Sequence, residues 1–160
     1  MTILGIDPGF AIVGYGIIKK DKNSNISIVN YGAINTSAKD IFPDRLAQIH
    51  KELKSIIRKY KPNIVAIEEL FFYKNVKTAM EVGQARGVII LTVIQSKIQI
   101  FEYTPLQIKQ AVSSYGRADK NQVQEMVKKI LNLKKIPEPD DAADALAAAI
   151  CCGNFNNLLN

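Results

Sequence analysis

Residues 3 to 9 read Ile3-Leu4-Gly5-Ile6-Asp7-Pro8-Gly9, an apolar run that ends in one carboxylate and then turns. The run predicts a buried strand, with Pro-Gly as its stop. A carboxylate at the end of a central strand is costly to bury alone. It needs a cation, a hydrogen-bond network or solvent in a cleft. The same pattern returns in Ile64-Val65-Ala66-Ile67-Glu68-Glu69. Between the two runs, Pro43 to Tyr60 predicts an amphipathic helix with Leu46, Ile49, Leu53, Ile56 and Ile57 on one face. Lys61-Pro62-Asn63 stops it. A strand–helix–strand crossover makes the two strands parallel. Parallel neighbours lie ~4.8 Å apart, which places Asp7 beside Glu68 or Glu69. Two carboxylates that close repel each other unless a cation sits between them.

The remaining segments fill out a mixed sheet. Residues 12 to 19 and Ile26 to Asn35 predict two strands, joined too tightly to the first to be anything but antiparallel. Val76 to Ser96 predicts a long helix, and Ile98 to Tyr103 a short strand. Thr104-Pro105 caps a helix to about Ser114, and another runs from Asp119 or Lys120 to Leu133. After Pro137-Glu138-Pro139, an alanine-rich helix spans Asp140 to Cys152. The expected architecture is α/β, a mixed five-stranded sheet with helices on both faces. At 160 residues the chain suits one domain, residues 1–153, followed by a frayed tail at 154–160.

More acids stand at the start of the last helix. Asp140 and Asp144 are i, i+4, and Asp141 and Asp144 are i, i+3, so each pair shares a helix face. Helix capping accounts for Asp140 or Asp141, since carboxylates suit a helix N-terminus. It accounts poorly for Asp144, a full turn in among alanines. His50, the one histidine, falls in the amphipathic helix with a surface or half-buried role. No nucleophile-elbow or Walker motif is present. A site built from carboxylates alone selects hard divalent cations such as Mg²⁺ or Mn²⁺. A pair of such ions is the usual engine of phosphodiester hydrolysis.

Charge supports a polyanionic partner. The formal net charge is +6, and Gln107 to Lys135 holds Lys109, Arg117, Lys120, Lys128, Lys129, Lys134 and Lys135 against Asp119 and Glu125 alone. A solvated lysine-rich face is the plainer reading of the same bias. The longest apolar stretch, Val88 to Ile94, is far too short to span a bilayer. The chain starts directly on its first strand, so no signal peptide is expected. The adjacent Cys151 and Cys152 give neither zinc spacing nor a plausible disulfide, which suits a reducing cytoplasm.

Several segments together resemble the RuvC family of bacterial Holliday junction resolvases. They are Gly5-Ile6-Asp7-Pro8-Gly9, Ala66-Ile67-Glu68-Glu69, Lys74-Asn75, Gly83-Gln84-Ala85-Arg86-Gly87, Gln107-Ile108-Lys109-Gln110 and Asp141-Ala142-Ala143-Asp144-Ala145-Leu146-Ala147. They lie in the family's order and cover nearly the whole chain. The resemblance implies a ribonuclease H-like fold, a homodimer, and a catalytic, metal-binding tetrad of Asp7, Glu68, Asp141 and Asp144. It thereby favours Glu68 over Glu69 and Asp141 over Asp140. It also implies DNA contacts from Lys109, Lys120 and Phe71, a four-way DNA junction as substrate, Mg²⁺ with Mn²⁺ as substitute, and RuvA with RuvB as partners in the bacterial cytoplasm. Phe72 and Tyr73 either pack or contact DNA.

Three other readings compete. An actin-like or sugar-kinase phosphotransferase needs two such domains and a phosphate-clasping glycine motif, for which the chain is too short. A ribonuclease H-like protein of the YqgF type would act on RNA. A junction-binding scaffold would not cut, and the intact tetrad argues against it. The long helix carries apolar residues on more than one stripe, so residues from Val82 to Ile94 are expected at a dimer interface. Arg86 in that helix serves a buried ion pair or the interface, and Gly83 and Gly87 would permit close helix packing.

Overall fold

The computed structural model describes residues 1–69 and 76–155. The strands are β1 (Thr2–Asp7), β2 (Ile12–Lys20), β3 (Ile26–Asn35), β4 (Ile64–Glu68) and β5 (Gln99–Tyr103). The helices are α1 (Phe42–Tyr60), α2 (Val76–Gln95), α3 (Pro105–Ser113), α4 (Lys120–Ile130) and α5 (Asp140–Phe155). The sheet order is β3-β2-β1-β4-β5. β1 pairs antiparallel with β2 and parallel with β4, and β4 pairs parallel with β5.

Alternation along the central strands separates two cores. Leu4 and Ile6 of β1, with Val65 and Ile67 of β4, pack against Ile49, Leu53 and Ile57 of α1 and Ala85, Ile89 and Val93 of α2. Ile3 and Ala66 point the other way, into a core built by α3, α4 and α5. By the same two-residue period, Asp7 and Glu68 emerge on the α5 side. Glu68 closes β4, and Glu69 would fall on the opposite parity. The strand period therefore supplies a reason for Glu68 that the spacing alone left open. His50 is half-buried, with Nδ1 2.8 Å from Thr92 Oγ1 where α1 meets α2.

Helix α5 lies almost directly on the sheet backbone. A Cβ at Gly5 would stand 1.9 Å from the Ala145 carbonyl oxygen. One at Gly14 would stand 2.0 Å from the Asp141 carbonyl oxygen, and one at Gly16 2.6 Å from Leu146 Cγ. Gly5 and Gly16 are register partners, as are Asp7 and Gly14. The three glycines thus form a smooth patch across β1 and β2, into which the buried alanines of α5 settle.

Some boundaries differ from expectation. α4 ends at Ile130, not Leu133, and Asp119 is its cap: the carboxylate accepts from Gln122 N–H at 2.8 Å. Asn154 and Phe155, expected in the frayed tail, continue α5. The Asn154 amide donates to the Ala111 carbonyl, and the Phe155 ring stacks on Tyr103 at 5.9 Å. Residues 156–160 of that tail lie outside the described residues, as do Phe71, Phe72, Tyr73, Lys74 and Asn75. Gly83 and Gly87 bring no described helix close, since a Cβ at either would meet nothing within 4 Å.

Candidate active site

Ile6 pairs with Ile67 across the parallel β1–β4 seam, which makes Asp7 and Glu68 the next pair along. The α5 acids reach the same point from above. Asp141 sits over Gly14, the register partner of Asp7, and Asp144 lies one turn further on. The electrostatics show the convergence. Burial, then the charges of Glu68, Asp144 and Asp141, push the Asp7 carboxyl well above its usual range. Burial and then Asp144 push Glu68 up to about 7, with Lys109 and Lys120 opposing. Burial also raises Asp144, against the pull of Lys120.

Two cations line the cleft. The Thr104–Gln107 capping box starts α3 and sets Lys109 in its second turn. The Asp119–Gln122 box starts α4 and makes Lys120 its first residue. Together with Glu68 and Asp144 these lysines line a cleft of about 310 Å³. Lys120 Nζ lies 3.1 Å from Asp140 Oδ2 and 3.3 Å from Asp144 Oδ2. Burial works to lower the Lys120 pKa, but its bonds to Asp140 and Asp144 outweigh that and raise it.

The four proposed acids are close enough to feel one another but do not share one cavity. Glu68 and Asp144 face the lysine-lined cleft. Asp141 opens onto a separate groove of about 470 Å³ shared with Phe10, Arg45 and Glu81. Among the described residues, no three Asp, Glu, His or Cys side chains stand in a geometry that holds a metal ion as it is. The chemistry of the donors nonetheless suits one. They are hard carboxylate oxygens, and their mutual repulsion is what a divalent cation relieves.

Residues 3–152 match the family model described as Crossover junction endodeoxyribonuclease RuvC. The chain belongs to the RuvC family. It is 60% identical to a crossover junction endodeoxyribonuclease RuvC of Halothermothrix orenii over 158 residues, 99% of this chain and 95% of that one. Its structure matches Thermus thermophilus RuvC with a TM-score of 0.90 at 31% identity, covering 99% of this chain and 96% of that one. It matches T. thermophilus RuvC in complex with Holliday junction substrate with a TM-score of 0.89 at 30% identity, with the same coverage. The fold is the ribonuclease H-like fold expected of a RuvC, and the phosphotransferase reading falls away.

Contacts around this RuvC site also include some that sequence reasoning missed. Asp140 reads in sequence as a helix cap, yet it holds Lys120 and accepts from Gln124 Nε2 at 3.1 Å. Arg45 stacks over the Phe10 ring at 3.7 Å and donates from Nε to Thr36 Oγ1 at 2.9 Å, a contact with no sequence signature. Arg86, expected in a buried ion pair or at the interface, instead ties α2 to β5 through a partly exposed ion pair with Glu102 at 2.8 Å.

Proposed function

We propose that Asp7, Glu68, Asp141 and Asp144 are the catalytic set with which this crossover junction endodeoxyribonuclease cuts four-way DNA junctions in recombination and repair. The observation that carries the reading is the convergence of two desolvated, pKa-raised carboxylates with the α5 aspartates beside a cleft lined by Lys109 and Lys120. The chain through the end of α5 at Phe155 acts in it as one nuclease domain. The lysines hold the scissile phosphate in the cleft, and the carboxylates hold two divalent cations, Mg²⁺ with Mn²⁺ as substitute. The chemistry such a pair supplies when bound is activation of water and stabilisation of the leaving oxygen. Incubation of a four-way DNA junction with the protein and Mg²⁺, followed by a denaturing gel, should show paired cuts absent from linear duplex. Cleavage of an RNA substrate instead would sink the reading in favour of the YqgF-type one.

The raised carboxyls predict a pH dependence. The native form of Glu68 holds its proton more tightly than its ordinary value of 4.5 allows. Its contribution to stability is therefore full below about 4.5 and is lost as pH rises through about 7. Asp7 and Asp144 act in the same direction. In divalent-free buffer the protein should melt several degrees lower at pH 8 than at pH 5. Added Mg²⁺ should recover most of that loss at pH 8. A melting temperature insensitive to both would contradict the acid cluster.

The working unit is a homodimer built on α2. Met80, Leu91 and Ile94 are exposed, and Gly83 and Gly87 stand bare between them. These positions follow the helical period and leave one apolar stripe uncovered. Leu91→Glu should yield monomers at micromolar concentration by sedimentation, with an unchanged fold, since Leu91 is 55% exposed. Val88 is half-buried and makes the poorer probe. Monomeric wild type with full paired cutting would refute the dimer. Phe71 is assigned to DNA contact, and RuvA with RuvB to partnership, on family membership alone. The bacterial cytoplasm is the proposed location; no described helix is long and apolar enough to cross a membrane.

A further inference from the structure

The connection between α3 and α4 is a built loop, and it leaves the side chains of Tyr115 and Arg117 exposed. Ser114 takes a left-handed conformation at φ 58° to leave α3. Ser113 Oγ lies 2.7 Å from the Lys109 carbonyl and 2.9 Å from the Tyr115 carbonyl, and accepts from the Tyr115 N–H at 3.3 Å. Gly116 lies flat against Leu106, where a Cβ would meet Leu106 Cδ1 at 2.6 Å. Ala118 N–H closes back to the Tyr115 carbonyl at 3.1 Å, and its methyl is buried in the α5-side core. These contacts hold the backbone while the Tyr115 ring stays 58% exposed and Arg117 points into solvent. Arg117 makes none of the ion pairs found among the described residues. The neighbouring Asp119 is occupied in capping α4.

The position of the loop gives these side chains a use. Leu106 and Gln110 on one flank of α3 complete a cavity of about 350 Å³ with Tyr115, Gly116 and Arg117. Pro105, Ile108 and Lys109 on the other flank line the acid cleft. One helix thus separates the two cavities, a width of about 10 Å. A duplex arm rises ~3.4 Å per nucleotide along its axis, so an arm laid across α3 with its scissile phosphate in the cleft spans that helix within about three nucleotides.

We propose that this loop is a second backbone grip on the cleaved strand, with Arg117 on a phosphate about three nucleotides from the cut and the Tyr115 ring packed on the adjoining deoxyribose. The chemistry is that of a guanidinium forked onto phosphate, with an aromatic face laid on sugar. The inference rests on the junction-cutting reading above and deepens it, because it fixes the path of the DNA away from the cleft.

The test is junction binding in divalent-free buffer, where no strand is cut, with melting temperatures to show that the variants remain folded. Arg117→Ala should bind a four-way junction about tenfold more weakly and lower the log–log salt slope by ~0.9. Tyr115→Ala should bind roughly fivefold more weakly with an unchanged slope, and Tyr115→Phe should bind as the wild type does. A neutral methylphosphonate linkage scanned about two to four nucleotides from the cut should weaken the wild type at one position and leave Arg117→Ala indifferent there. Variants that match a binding wild type in affinity and slope overturn the grip alone. A Tyr115→Phe as weak as Tyr115→Ala overturns the role given to the ring. A wild type with no preference for the junction overturns the parent reading, and the grip falls with it.

Discussion

Asp7→Asn, Glu68→Gln, Asp141→Asn and Asp144→Asn should each bind a four-way junction nearly as well as the wild type while cutting it at least about a thousandfold more slowly. Each substitution keeps the side chain's size and removes one negative charge from the set. On the proposed reading, binding belongs largely to cations such as Lys109 and Lys120, which line the cleft and which the variants leave in place. The same four variants carry a second signature. Burial and like charge raise the carboxyls of Asp7, Glu68 and Asp144, so the ionised set strains the metal-free fold. Asp7→Asn and Glu68→Gln should therefore melt higher than the wild type at pH 8 without divalent cations, and gain less from Mg²⁺. Rapid cleavage by any two of the four would dissolve the assignment. Loss of binding along with cutting would point to a damaged fold.

Gly14→Ala should be nearly as damaging, through packing alone. The added methyl would lie 2.0 Å from the Asp141 carbonyl oxygen and 2.4 Å from its carbonyl carbon. These are backbone atoms with no rotamer to escape into, so the first turn of α5 must lift from the sheet. Overpacking of this kind costs about 1–3 kcal/mol or more, a fall of roughly 2–12 °C in Tm for a chain of this size. Cutting should fall further than stability does, by about a hundredfold at a temperature where the protein remains folded, because the lift carries Asp141 away from Asp7. Thermal melts and cleavage rates on one preparation separate the two effects. A Gly14→Ala protein equal to wild type in both would show that α5 does not bear on this strand as described.

The strands were readable because each central run alternates or ends on an unambiguous signal. Asp7-Pro8-Gly9 closes β1, and Lys61-Pro62 closes α1 with Lys61 in a left-handed turn. The choice of Glu68 over Glu69 rested on resemblance alone, and strand parity supplies the reason afterwards. Other features had no sequence signal to follow. Gly5, Gly14 and Gly16 read as weak points in strands, and become a helix seat only when β1 and β2 lie side by side. Asp140 reads as one more capping acid until α4 brings Lys120 to it from twenty residues upstream. The division of the acids between two grooves depends on where α3 and α2 pass, which no spacing in the acids encodes.

The seating of α5 bears on how the protein folds. Asp7 closes β1, while Asp141 and Asp144 stand on α5, far along the chain from it. These acids meet only when α5 drops onto the glycines of β1 and β2, which requires the central strands to be paired already. A half-folded chain, with α5 not yet seated, therefore holds its basic helices without the acid set proposed above. On that assignment it can cling to DNA, as any cationic polypeptide does, without hydrolysing it. On the proposed assignment, the seating of α5 is thus the step that arms the nuclease.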